Sequence, residues 1–162
     1  MKYYPINLNI KGKLCVIIGG GKVAERKVKN ILLYGGRVRV ISPELTGSLK
    51  QWVKQRKIHY IQGSYDPKAL KGAFLIYATT SDRRVNAKIA GDAAKLGLLV
   101  NVADSARESM FILPAVLRQR GITIAVSTNG LSPGKSVRIR DSLKEVINKG
   151  ILEPSSPSGG ED

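Results

Sequence analysis

Two regimes of hydrophobic patterning take turns along this chain: short unbroken apolar runs, and longer stretches with apolar residues at helical spacing. Leu14-Cys-Val-Ile-Ile18 is a run of the kind that a strand buried on both faces requires. Val23, Ala24, Val28, Ile31 and Leu32 then recur at helical spacing, so a helix runs from about Val23 to Tyr34 and stops at Gly35-Gly36. Arg37–Ile41 makes a second strand, ended by Ser42-Pro43-Glu44. Residues 45–57 suit a short basic helix, His59–Ile61 a third strand, and Asp66-Pro67 the start of a short helix to about Leu70. Ala73–Ala78 is the fourth strand of the set, and a helix over Arg83–Leu96 follows, with Asp82 as N-cap and Gly97 closing it. Leu98–Val102 is the fifth strand. Strands alternating with helices predict an α/β protein, a Rossmann-like doubly wound parallel sheet.

Beyond residue 110 the pattern changes. Phe111–Leu117 is apolar but holds Pro114, and Gly121–Val126 reads as a further strand. Ser127–Gly134 is a loop rich in glycine, serine and proline, and Lys135–Lys149 is an amphipathic basic helix. The expected organisation is a dinucleotide-binding domain over residues 1–113, a small C-terminal segment over 114–150 and a flexible tail over 151–162.

The connection after the first strand carries the candidate chemistry. Gly19, Gly21 and Ala24 hold the G-x-G-x-x-A positions between a strand and a helix, the context a dinucleotide site needs. Gly19 permits the tight turn, Gly21 lets the backbone approach a pyrophosphate, and Ala24 lets the helix pack close to the strand. The free N–H groups of the new helix face the phosphates. An acid at the end of strand two favours NAD over NADP, but Ser42 stands there and Glu44 lies two residues later, so this feature leaves the choice open. Thr79-Thr80-Ser81-Asp82 ends strand four, where open α/β sheets bind ligands. Asp104, just past strand five, is placed for catalysis on a bound ligand, although taken alone such a residue is more often a turn residue or cap.

Composition narrows the class. With 162 residues, 43% of them hydrophobic, the chain can bury a core of one main domain and a small appendage. No apolar run approaches the roughly 20 residues that cross a membrane, and Met1–Pro5 lacks a signal peptide's apolar core, so a cytoplasmic protein is expected. The single cysteine, Cys15, lies inside strand one and reads as a small buried hydrophobe. There is no disulfide framework, and no metal ligand set is expected. The lone His59 reads as structural. Lysine and arginine number 27 against 12 acids, a formal charge of +15. Such an excess suits a polyanionic partner: nucleic acid, an acidic membrane, or a ligand with several carboxylates or phosphates. A generally basic surface is the plainer account. Aromatic residues are few and not interleaved with the cations, which speaks against nucleic acid.

Laid out this way, the chain resembles the precorrin-2 dehydrogenase family, also found as the NAD-binding part of siroheme synthases. The resemblance spans about residues 3–147. It rests on Tyr4-Pro5-Ile6, Gly19–Lys27, Ala78–Asp82 with Asn86, Asn101–Asp104, and Ile124–Pro133. It implies NAD-dependent oxidation of precorrin-2, a tetrapyrrole with eight carboxylate arms, to sirohydrochlorin; some members also insert ferrous iron. Asp104 falls on the family's catalytic aspartate, proposed as general base. Lys22 and Val23 fall on the pyrophosphate turn and Pro43 and Glu44 on the adenosine-side contacts, while Thr79 and Thr80 are cofactor-side candidates by their place at the end of strand four. Ser127, Thr128 and Asn129 fall near the tetrapyrrole site. Arg118, Lys135 and Arg138, in a stretch without acids from 109 to 140, are candidates for its carboxylates. The family's C-terminal segment dimerises, so a homodimer with a shared cleft is implied, consistent with a Gly121–Val126 strand too apolar to stand alone. Longer members carry a further helical region not found here, which would leave the cleft without its contribution. The competing reading is an NAD(H)-sensing regulatory Rossmann domain without catalysis. Neither a nucleic acid nor a membrane is an expected partner.

Overall fold

The computed structural model describes residues 3–119 and 121–149; the tail expected over 151–162 lies outside the described residues. The chain divides into two compact units, one over residues 3–112 and the other from 113 onward.

The first unit is built on β1 (Leu14–Ile18), α1 (Lys22–Leu33), β2 (Arg37–Ser42), α2 (Gly47–Lys54), β3 (His59–Gln62), a 3-10 turn at Pro67–Leu70, β4 (Leu75–Ala78), α3 (Arg83–Lys95) and β5 (Leu99–Val102). The five strands form one wholly parallel sheet in the order β3-β2-β1-β4-β5. This is the Rossmann-like arrangement that the apolar runs predict. The chain winds outward from β1 to β3, then returns to lay β4 on the other side of β1. The carboxyl ends of β1 and β4 thus form the topological switch point, where such sheets bind ligands.

Alternate residues of the strands feed two cores, because successive side chains point to opposite faces. Cys15, Ile17, Val38, Val40, Leu75 and Tyr77 pack with Ala24, Val28, Ile31 and Leu49 of α1 and α2. Val16, Ile18, Ile41, Ile76, Val100 and Val102 pack with Ile89, Ala90 and Ala93 of α3. Both faces of β1 are dry, which explains its unbroken apolar run. Cys15 is fully buried, and burial pushes its thiol up to about 11. His59, by contrast, is exposed on β3.

The second unit pairs β6 (Ala115–Gln119) with β7 (Ile122–Val126) as an antiparallel hairpin, followed by α4 (Pro133–Asn148), which packs on both strands. β6 is not evident in the sequence. Pro114 interrupts its apolar run, yet it sits just before the first ladder residue, where a missing N–H is harmless. Leu117, Ser136 and Ile147 are the buried side chains among the described residues of this unit.

Candidate functional site

The turn after β1 is shaped by close backbone packing. Gly19 takes φ +118, and a Cβ there would lie 2.6 Å from the carbonyl oxygen of Thr79 at the end of β4. Gly20 is equally constrained, since its Cβ would collide with the Glu44 carbonyl. The motif treats that middle position as free; only the approach of the β2–α2 loop makes glycine necessary. At Gly21 the opposite holds, with nothing within 4 Å of a Cβ. Gly21 is the N-cap of α1, and no side chain caps the helix. The first N–H groups of α1 therefore open onto clear space in front of Gly21, Lys22 and Val23, all exposed. A free helix N-terminus beside a glycine with room before it fits a dinucleotide pyrophosphate. Ala24 is fully buried against the sheet.

The loop after β2 is tied to this turn. Thr46 N donates to the Gly20 carbonyl at 3.0 Å, and the Thr46 hydroxyl donates to Glu25 Oε2 at 2.7 Å. That bond, with smaller contributions from Ser48 and Lys22, holds the Glu25 carboxyl below its ordinary value. Tyr60 Oη donates to the Ser42 carbonyl at 2.9 Å, which fixes the end of β2 and leaves Pro43 and Glu44 exposed beside the turn. Ser42 itself is buried.

Across the switch point, Thr79 is buried and its hydroxyl donates to the Ile18 carbonyl at 2.9 Å. The Thr80 hydroxyl donates to Asn86 Oδ1 at 2.8 Å, and Asn86 Nδ2 donates back to the Thr80 carbonyl at 3.1 Å. Asn86 is fully buried, so this amide locks the turn after β4 from within α3. Asp82 accepts from the N–H groups of Arg84 and Val85, which makes it the cap of α3.

Asp104 stands exposed on the loop that leaves β5. The loop folds back on its own strand: Val102 N donates to Ser109 Oγ at 2.8 Å, Ser109 Oγ donates to the Ser105 carbonyl at 2.9 Å, and Met110 N donates to the Val100 carbonyl at 2.8 Å. The Tyr3 hydroxyl reaches the Ala106 carbonyl at 2.7 Å. Ser109 is buried at the hub of this loop, and nothing in its sequence surroundings announces it. Arg83 pairs with Glu108 close by; that hydrogen bond and the charges of Glu108 and Asp104 raise its pKa. The sheet thus holds an uncapped helix N-terminus and an exposed carboxylate at the carboxyl ends of its strands.

In the second unit, the β7–α4 connection is ordered by its own side chains. Asn129 N donates to Ser127 Oγ at 3.1 Å, and Ser132 N donates to Thr128 Oγ1 at 3.0 Å, which also bonds Ser136 Oγ at 3.2 Å. Asn129 adopts φ +54 and Gly130 φ +80, as the tight turn requires. Arg118, Lys135 and Arg138 are all exposed. Among the described residues no three His, Cys, Asp or Glu side chains cluster to hold a metal ion, and no helix is long and apolar enough to cross a membrane.

Comparison with known proteins agrees with this geometry. A family model described as "Putative NAD(P)-binding" matches residues 6–115. The siroheme synthase of Nitrosococcus oceani is 39% identical over 147 residues, covering 91% of this chain and 31% of that protein. That of Chromobacterium violaceum is 35% identical over 150 residues, covering 93% and 32%. The chain therefore spans about a third of the length of these curated relatives. Among solved structures, SirC, a precorrin-2 dehydrogenase, superposes with a TM-score of 0.79 at 28% identity, covering 88% of this chain and 70% of that one. The family resemblance read from the glycine turn, the Asn101–Asp104 stretch and the Ile124–Pro133 loop is thus met both in sequence and in structure. With the match running from the first extended segment to the start of β6, this chain belongs to the NAD(P)-binding family that the model describes.

Proposed function

We propose that this chain oxidises precorrin-2 to sirohydrochlorin with NAD, removing a hydride and a proton from the tetrapyrrole. The observation that carries the reading is the pairing, on one sheet, of an uncapped α1 N-terminus open at Gly21 with a braced loop presenting Asp104. The similarity to siroheme synthases and to the SirC dehydrogenase supports the choice of substrate.

NAD, when bound, supplies the hydride acceptor. The backbone of Gly19, Gly21, Lys22 and Val23 takes the pyrophosphate, with Ala24 holding the helix close enough to do so. Pro43 and Glu44 border the adenosine, and Thr79 and Thr80 form the wall on the β4 side. Asp104 accepts the proton as general base. Ser127, Thr128, Asn129, Arg118, Lys135 and Arg138 contact the substrate's carboxylates, and the net charge of +15 attracts them at long range. The second unit pairs with that of another copy, which covers Ile122, Val137 and Ile139, each about two-fifths exposed in the single chain. The protein works in the cytoplasm, without nucleic acid or membrane.

The test is anaerobic: full chain, NAD and enzymatically generated precorrin-2, with NADH and sirohydrochlorin absorbance followed together. Both signals rise in step if the reading is right. Dinucleotide binding with neither signal would replace it with a sensing role.

A further inference from the structure

We propose that Lys27 is a positioning residue for the reaction, clamping the Asp104 loop through Asn101 so that the helix cradling the cofactor also sets the place of the base. The inference rests on the dehydrogenase reading.

Lys27 lies on α1, the helix whose first N–H groups open at Gly21. Its ammonium donates to Asn101 Oδ1 at 3.0 Å and sits 5.5 Å from the centre of the Tyr77 ring. Among the described residues it makes no ion pair with a carboxylate. Its other charged neighbour is Arg26, of like sign, and the Tyr77 phenol beneath it has its own pKa raised, by burial first and by Cys15 second. A half-buried cation with that company gains little stability, since burial disfavours the charge and only its bond to the buried Asn101 Oδ1 offsets that cost. What the cation does supply is direction.

A terminal amide such as Asn101 can sit in either of two flipped orientations. Here both ends are specified. Lys27 donates to its oxygen, and its Nδ2 donates to the Phe111 carbonyl at 3.0 Å. Phe111 then packs edge-on against Tyr77, ring centres 5.5 Å apart, on the same ring that the ammonium overlies. Lys27, Asn101, Phe111 and Tyr77 form a closed circuit of contacts that pins the returning end of the loop from β5. Ser109 pins its middle. Asp104 rides on this loop, so the circuit joins the phosphate cradle to the carboxylate through one rigid helix. Misplacement of a reacting group by about 1 Å costs on the order of 100-fold in rate, which makes such a brace worth an unfavourable charge.

The experiment compares the full chain with Lys27→Met, Lys27→Arg and Asn101→Leu. Lys27→Met, which relieves the buried charge but orphans Asn101 Oδ1, should stay folded and bind NADH within about twofold. Its amides over residues 103–111 should exchange about tenfold faster. Its kcat for precorrin-2 oxidation should drop between about 10- and 100-fold, with KM little changed. Lys27→Arg, which keeps the cation and donor, should recover most of that loss, and Lys27→Met should add nothing once Asn101→Leu is present. Unchanged kcat and exchange in Lys27→Met would overturn the proposal, as would a rate loss matched by lost NADH affinity. If the parent chain itself fails to oxidise precorrin-2, the dehydrogenase reading falls. The exchange comparison still decides the clamp, and unchanged exchange overturns it.

Discussion

The two units solve the problem of holding chemical groups in place by different means. In the first, five parallel strands lie between two layers of side chains, and β1 is dry on both faces. Loops leaving such a sheet can be fastened from inside, and they are: Asn86 locks the turn after β4, Ser109 the loop after β5, and Thr46 the loop after β2. Among its described residues the second unit has two strands and one helix, with Leu117, Ser136 and Ile147 as buried side chains and Leu131 almost wholly exposed. A unit with so few buried side chains has a thin core. Geometry is stored where the core is deep, and exposed apolar and basic side chains are displayed where it is shallow.

The sharpest way to break this contrast is to show that the first unit's carboxylate is dispensable. Asp104→Asn should lower kcat for precorrin-2 oxidation by about 10²- to 10⁴-fold while NADH titration stays unchanged, as expected for loss of a general base. Next comes core depth. Ile76→Ala should cost about 2–5 kcal/mol in urea unfolding, and Ile147→Ala roughly half as much, because fewer atoms surround the cavity in the thinner unit. Equal losses would erase the distinction.

A third measurement uses pH. Burial, with repulsion from Arg26, lowers the pKa of Lys27 from 10.5 to about 8. Between those values the unfolded chain holds a proton that the folded chain has released, so raising the pH favours the folded state, by up to about 3 kcal/mol. Cys15 and Tyr77 act the other way at higher pH, since each keeps in the folded state a proton that the unfolded chain gives up. The Lys27 share is the difference in unfolding free energy between the parent and Lys27→Met, followed from about pH 7.5 to 9.5. Over that range the parent should gain stability relative to Lys27→Met. The smallest effect expected is at Gly21→Ala: with free space around the added methyl, the fold should hold, and NADH affinity should weaken by about tenfold, or roughly 1.4 kcal/mol.

Much of the first unit can be read from residues alone. The Leu14–Ile18 run, the glycines and the helical spacing from Val23 dictate β1, the turn and α1, because local sterics and burial on both faces leave few alternatives. The braces are another matter. Gly20 looks like a free position until the Glu44 carbonyl is brought against it, and Lys27 looks like one more surface lysine on a basic helix. Ser109 and Asn101 are polar residues that owe their burial to a loop folding back by hydrogen bonds no periodicity encodes. β6 escapes for a related reason: its half-buried pattern and neighbouring Pro114 mimic a linker until β7 pairs with it.

The collision that a side chain at Gly20 would make with the Glu44 carbonyl bears on any attempt to redesign cofactor preference. The peptide after β2 is seated on the glycine turn by main-chain atoms, with Thr46 and Tyr60 holding it from either side. Swapping this loop for one from an NADP-using protein would unseat the turn as well, so grafting is the wrong route. On the proposed reading, in which Pro43 and Glu44 border the adenosine, point changes at the exposed Glu44 side chain sample 2′-phosphate acceptance while keeping the main-chain contact with Gly20.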